Sequence, residues 1–154
     1  MSDPDMLLRL TPGTYFSPAE FTCHDGTPYP DAWADRWEDL VSLCDAIRAQ
    51  WGGPLIVVSG YRTHGYNMGL IDADGARGSH GVASGSWHIE GQAADLRTQN
   101  GPSDVPQLLR VVLNLYEDGK LPWLGGVGDY PVSNWIHVDT GKASDGHLRR
   151  WQGV

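Results

Sequence analysis

The 154-residue sequence has no apolar run approaching the roughly 20 residues that a membrane-spanning helix requires, its longest being Leu55-Ile56-Val57-Val58. No membrane span is expected. Positive charge is scarce: 11 Lys and Arg stand against 19 Asp and Glu, for a formal net charge of -8. A chain so acidic lacks the basic stripe that neutralises a phosphate backbone, which excludes nucleic acid as a partner. Cysteine is limited to Cys23 and Cys44, too few for the dense disulfide framework of a small secreted scaffold. Cys44 falls on the apolar face of a helix, and two buried or free thiols are expected. The N-terminus, Met1-Ser2-Asp3-Pro4-Asp5, lacks the basic-then-apolar order of a secretory signal.

What is present suits one domain over residues 1–154, with 40% hydrophobic residues and seven tryptophans to build a core. Twenty glycines and ten prolines, spread along the chain, point to a mixed fold of short elements. A helix is predicted over 32–51, where Trp33, Trp37, Leu40, Val41, Cys44, Ile47 and Trp51 recur at three- and four-residue steps. Gly52-Gly53-Pro54 stops it, and its other face, with Asp35, Arg36, Glu38, Asp39, Asp45 and Arg48, reads as solvated. Strands are predicted over 55–61, 92–97, 125–130 and 135–139, and a second amphipathic helix runs from Pro102 to a stop at Gly119. Residues 63–86, rich in Gly, Ser, Asp and His, read as a long loop walling a site. Together these predict an α+β fold, a small mainly antiparallel sheet with helices packed on one face.

Six histidines raise the question of a metal. No His-Glu-x-x-His helix is present, and His88-Ile89-Glu90 lacks the Pro-Cys-x-x-Cys partner of the zinc deaminases. Asp72-Ala73-Asp74-Gly75 begins like a calcium loop but lacks its terminal glutamate. Gly-x-Ser-x-Gly and phosphate-binding glycine motifs are also missing. What remains is Ser86-Trp87-His88-Ile89-Glu90-Gly91-Gln92-Ala93-Ala94-Asp95, followed 42 residues after Asp95 by His137-Val138-Asp139. Two imidazoles and one carboxylate form the three-ligand set of catalytic zinc. Gly91 permits the sharp entry into a strand that lets His88 and Asp95 converge. His137 and Asp139, two apart on a strand, share one face, with Ile136 and Val138 on the other.

Ser-x-His-x-x-Gly-x-Ala-x-Asp with a later His-x-Asp resembles the zinc D-alanyl-D-alanine carboxypeptidase family, which includes bacterial and phage peptidoglycan endopeptidases and shares its fold with the hedgehog signalling domain. Phe16-Ser17-Pro18-Ala19-Glu20-Phe21, Val58-Ser59-Gly60-Tyr61-Arg62, Asn67 and Gly126-Val127-Gly128-Asp129-Tyr130-Pro131 extend the resemblance, in order, over about residues 15–141. It implies one zinc held by His88, Asp95 and His137. Arg62 would hold a substrate carboxylate or carbonyl, with Ser86, Trp87 and Tyr130 lining the substrate cleft and Trp135 beside it. Many members carry a glutamate three residues before the second histidine, where this chain has Asn134. Asp139 is therefore the expected general base, with a role in orienting a metal ligand as the alternative.

The resemblance implies hydrolysis of an amide bond in the stem peptide or cross-link of peptidoglycan, by carboxypeptidase or endopeptidase action of a monomer. A protein made in the cytoplasm and acting on the wall after release, such as a phage lysin or virion enzyme, is expected. The alternative is a non-catalytic, zinc-stabilised wall-binding or phage structural module. Outside the motif, His80 reads as a solvent-exposed loop residue and His24, in Cys23-His24-Asp25, as part of a structural turn.

Overall fold

The computed structural model of the protein describes residues 12–74 and 86–154. Three helices, α1 (Ala34–Trp51), α2 (His64–Asp74) and α3 (Val105–Glu117), accompany five strands: β1 (Leu55–Ser59), β2 (Ala93–Thr98), β3 (Gly126–Tyr130), β4 (Trp135–Asp139) and β5 (Arg149–Gln152). The strands form one sheet in the order β1-β2-β4-β3-β5. Every neighbouring pair is antiparallel except β3 and β5, which run parallel. The expected α+β architecture with a mainly antiparallel sheet is what the chain adopts.

Helix α1 follows a single 3-10 turn, Asp31–Trp33, and ends where Gly52 takes a left-handed conformation, φ 81°, with its N–H donating to the Arg48 carbonyl. Its apolar stripe packs on α3, and α3 in turn covers β3 and β4. Inward side chains of the sheet complete this core: Ala94 and Leu96 from β2, Ile136 and Val138 from β4, Val127 from β3. Because strand side chains alternate, Asp95, His137 and Asp139 are left on the face away from α1 and α3.

Two expectations need correction, and one strand is new. Asp45 is not on a solvated face: it is fully buried, and its carboxylate accepts backbone N–H bonds from Gly13, Thr14 and Tyr15 at 2.9–3.1 Å. The predicted loop over 63–86 instead opens with α2. Thr63 Oγ1 accepts the Tyr66 N–H at 3.1 Å, capping the first turn, and the glycines at 65 and 69 had masked the helical pattern. The rest of that stretch, with His80, lies outside the described residues. Finally, β5 was not foreseen, because Arg149-Arg150-Trp151-Gln152 has no β-branched residue to mark it. Cys23 and Cys44 are both buried and free.

Candidate metal centre

Sheet register assembles the site in two rows. The first runs Ser59, Asp95, His137, Gly128, Trp151 across β1, β2, β4, β3 and β5. Ser59 joins it because an irregularity between Val57 and Ser59 shifts the end of β1 by one residue, turning Ser59 to the side of Asp95. The second row is Ala93, Asp139, Gly126, Arg149. Directly opposed residues of neighbouring strands share a face, so these rows place Asp95 beside His137 without any loop holding them.

His88 arrives from the turn that precedes β2. Its Nδ1–H donates to the Gly60 carbonyl at 2.7 Å, which leaves Nε2 as the atom facing Asp95 Oδ1, 3.3 Å away. Ser86 Oγ accepts the His88 N–H at 3.1 Å, and Gly91, at φ 67°, closes the turn. On the opposite side His137 Nδ1 lies 3.2 Å from the same Asp95 oxygen, while its Nε2–H donates to Asp139 Oδ2 at 2.7 Å. One ligand atom from each of His88, Asp95 and His137 therefore lies within 4.8 Å of the others, and all three residues are buried. Among the described residues this is the one such group.

Each residue of the group is fixed from behind, as residues that hold a metal are. Gly60 holds His88, Asp139 holds His137, and Arg62 Nη2 holds Asp95 Oδ2 at 3.3 Å. Arg62 is itself anchored by Ser59 Oγ, 3.1 Å from Nε, and by Asn67 Oδ1, 3.4 Å from Nη1. Burial would push the Asp95 carboxyl up, but the two imidazoles beside it outweigh that and hold it well below the usual carboxylate range. Burial keeps the His88 imidazole from charging, only partly opposed by Asp95. At His137 burial also opposes charge, yet Asp139 and Asp95 prevail and push it up to about 9. Two carboxylates around His137 thus favour positive charge there, which a proton or a metal ion can supply. The donor set, nitrogen, oxygen, nitrogen, is one that suits zinc.

Asp139 has no exposed surface. Its Oδ1 accepts the Gly141 N–H at 3.0 Å and pairs with Arg149 Nη2, while Oδ2 is taken by His137. Trp87 packs against Gly141 with the Arg149 guanidinium 5.4 Å from its ring centre. Tyr130 is buried, and its hydroxyl accepts the Trp151 Nε1–H at 2.8 Å. Trp135 lies beside it, ring centres 5.8 Å apart. Asn134 has a positive φ of 71°, and its Oδ1 is buried without a hydrogen-bond partner among the described residues.

The other described histidines, His24, His64 and His147, stand apart from the group. His24 is exposed and bridges the Val58 carbonyl, 2.9 Å from Nε2, and the Tyr66 hydroxyl, 3.1 Å from Nδ1. His64 is exposed at the start of α2, and exposed His147 pairs with Asp145 at 3.2 Å. The residues that sequence reasoning missed are Ser59, Arg149 and Trp151. The ring of Trp151 lies 5.1 Å, centre to centre, from that of His137. No sequence signal marks the common face of Arg149 and Trp151; it shows only in the structure, where both alternate with more exposed neighbours.

Residues 37–151 match the family described as peptidoglycan L,D-endopeptidase MepK. The chain is 38% identical over 90 residues to the protein named "Probable peptidoglycan L,D-endopeptidase MepK" of Haemophilus influenzae, a match covering 58% of this chain and 41% of that protein. It is 37% identical, again over 90 residues, to peptidoglycan L,D-endopeptidase MepK of Escherichia coli K12 and of Shigella flexneri, covering 58% of this chain and 42% of each. The chain thus spans about two fifths of the length of the curated relatives it matches. No solved structure matches it.

Proposed function

The chain belongs to the peptidoglycan L,D-endopeptidase MepK family, and on that premise we propose that it is a zinc-dependent peptidase of bacterial peptidoglycan. It hydrolyses an amide bond of the wall peptide as an L,D-endopeptidase, the activity named for its relatives. The observation that carries this reading is the convergence of His88 Nε2, Asp95 Oδ1 and His137 Nδ1, each on a side chain whose remaining polar atom is already tied to the protein. Those three atoms would hold the ion. When bound, zinc supplies Lewis acidity, polarising the scissile carbonyl and lowering the pKa of water toward about 7.

The chain's own residues do the rest. Arg62 fixes the unligated oxygen of Asp95, and with its side chain 12% exposed it meets a substrate carbonyl or carboxylate at the edge of the site. Ser86 sets the turn that aims His88, and Trp87, Tyr130 and Trp135 form apolar walls that orient the peptide and exclude bulk water. Asp139 orients His137: a carboxylate without exposed surface, with three donors on its two oxygens, is poorly placed to take a proton from the reaction.

A second reading, a zinc-stabilised wall-binding or phage structural module, draws on that same engagement of Asp139 and on Asn134 in place of glutamate. Digestion of purified peptidoglycan by the zinc-loaded protein, with mass spectrometry of the released fragments, separates the two. Release of fragments ending at an L,D bond, abolished in His88→Ala, is expected. Stoichiometric zinc binding with no fragment released from several wall chemotypes would replace the peptidase with the binding module.

A further inference from the structure

Arg149 reaches Asp139 from two strands away. Between β5 and β4 lies β3, whose residue in that row is Gly126. A Cβ at Gly126 would fall 2.6 Å from Arg149 Nη2 and 2.7 Å from Asp139 Oδ2, so the guanidinium crosses the sheet through the space that the glycine leaves bare. Gly128 does the same for Trp151, whose Nε1 would lie 2.3 Å from a Cβ there. Alternating glycines on β3 thus let a terminal strand touch the two residues of β4 that face the centre.

The contact has a specific form. Both hydrogens of Arg149 Nη2 are used, one on Asp139 Oδ1 and one on the Gly141 carbonyl at 2.9 Å. Gly141 returns its N–H to Asp139 Oδ1. The carboxylate is thereby held in one orientation, with Oδ2 turned to His137 Nε2. Arg149 Nε is buried without a partner among the described residues, a desolvation cost the guanidinium bears in this position. Trp87 and Trp151 flank it, 5.4 and 5.8 Å from their ring centres.

We propose that Arg149 is a positioning residue of the metal centre: acting through Asp139, it fixes the imidazole of His137 with Nε2–H outward and Nδ1 toward the ion, by way of the gap at Gly126. This rests on the zinc reading above. Outer partners of this kind set metal affinity, and their loss typically weakens it by about 10–100-fold.

The test is the zinc dissociation constant of the full chain, measured by competition with a chromophoric chelator, together with the 15N-histidine spectrum of the zinc-loaded protein. Arg149→Met is expected to weaken zinc about 10–100-fold and to shift or broaden the His137 Nε2–H signal. Arg149→Lys, which keeps the charge but loses the two-pronged Nη2 contact, recovers part of the affinity. Gly126→Ala keeps the arginine but blocks its path, and weakens zinc in the same direction. Arg150→Met, exposed on the same strand, leaves both readouts unchanged. Wild-type affinity within twofold and an unchanged His137 signal in Arg149→Met overturn the proposal. Where that variant does not fold, the same result in both Arg149→Lys and Gly126→Ala does so. Failure of the wild type to take up one zinc would instead overturn the metal reading itself.

Discussion

Gly91 faces the six-membered ring of Trp33 so closely that a Cβ on it would fall 2.6 Å from Cε3, and 2.9 Å from the Tyr29 hydroxyl. Its φ of 67° is also left-handed. The glycine of the Ser-x-His-x-x-Gly-x-Ala-x-Asp motif is thus required twice, once by backbone conformation and once by space. Gly91→Ala is expected to destabilise the fold by about 2 kcal/mol or more, and to displace the turn that carries His88. Urea unfolding of the metal-free protein checks this; a midpoint equal to that of the wild type would show that Trp33 yields freely.

Asp45 anchors the chain ahead of α1 through three backbone N–H bonds, from Gly13, Thr14 and Tyr15. Asp45→Ala removes the charged acceptor from all three, at a cost of about 2 kcal/mol. Proteolysis of the folded variant should begin at residues 13–15 before any other part of the described chain is cut. Unchanged stability and an unchanged cleavage pattern would deny the anchor.

These two residues mark what was legible in the sequence and what was not. Gly91 was read correctly because a turn into a strand is a local demand. Asp45 was misread because it resembles any acid on the polar side of a helix; its burial depends on a segment some 30 residues earlier. The same division runs through the fold. Helices α1 and α3 announce themselves by three- and four-residue spacing, and β4 by alternation, whereas α2 is obscured by its glycines and β5 takes its place only through a parallel, nonlocal pairing with β3. At the site, motif spacing brought His88, Asp95 and His137 to attention, and they do come together. Ser59 and Arg149 stayed hidden, since one depends on a strand irregularity and the other on the bareness of Gly126, and both are properties of register.

The two thiols should be silent in the folded protein. Cys23 and Cys44 are buried and unpaired, and burial, with the carboxylates of Asp45 and Glu20, pushes the Cys44 thiol up, away from the reactive thiolate. An aromatic disulfide reagent at neutral pH is expected to find no thiol until guanidinium is added, and then two. A native protein that reacts at once, or an unfolded one that shows none, contradicts this.

Tyr29 gives the fold an alkaline limit. Its hydroxyl donates to the Gly91 carbonyl at 2.5 Å, and burial pushes it above its ordinary value of 10.0, a rise only partly opposed by Arg36. The folded state therefore holds the phenolic proton more tightly than the unfolded chain does. Its stabilisation is complete below about pH 10 and is lost as pH climbs through the higher folded value. Urea midpoints should fall steeply above pH 10, and Tyr29→Phe should flatten that fall while lowering stability at pH 8 by about 1 kcal/mol. Part of the slope remains in the variant, because burial also raises Tyr61 and Tyr130. A slope identical to that of the wild type would remove Tyr29 from the account.

Asp139→Asn separates the two roles open to this carboxylate. Asparagine preserves the shape but loses the charge that pairs with Arg149, and its amide can present a donor to His137 Nε2 where Oδ2 accepted one at 2.7 Å. If Asp139 orients His137, as its lack of exposed surface argues, zinc affinity falls about 10–100-fold, and excess zinc restores much of the peptidoglycan cleavage. If Asp139 is the base, zinc affinity stays near that of the wild type, and cleavage falls by about 100-fold or more at any zinc concentration. Chelator competition and fragment release, measured on the same preparation across a zinc titration, distinguish the two, and the first outcome is expected because the carboxylate's oxygens are already occupied by His137, Gly141 and Arg149.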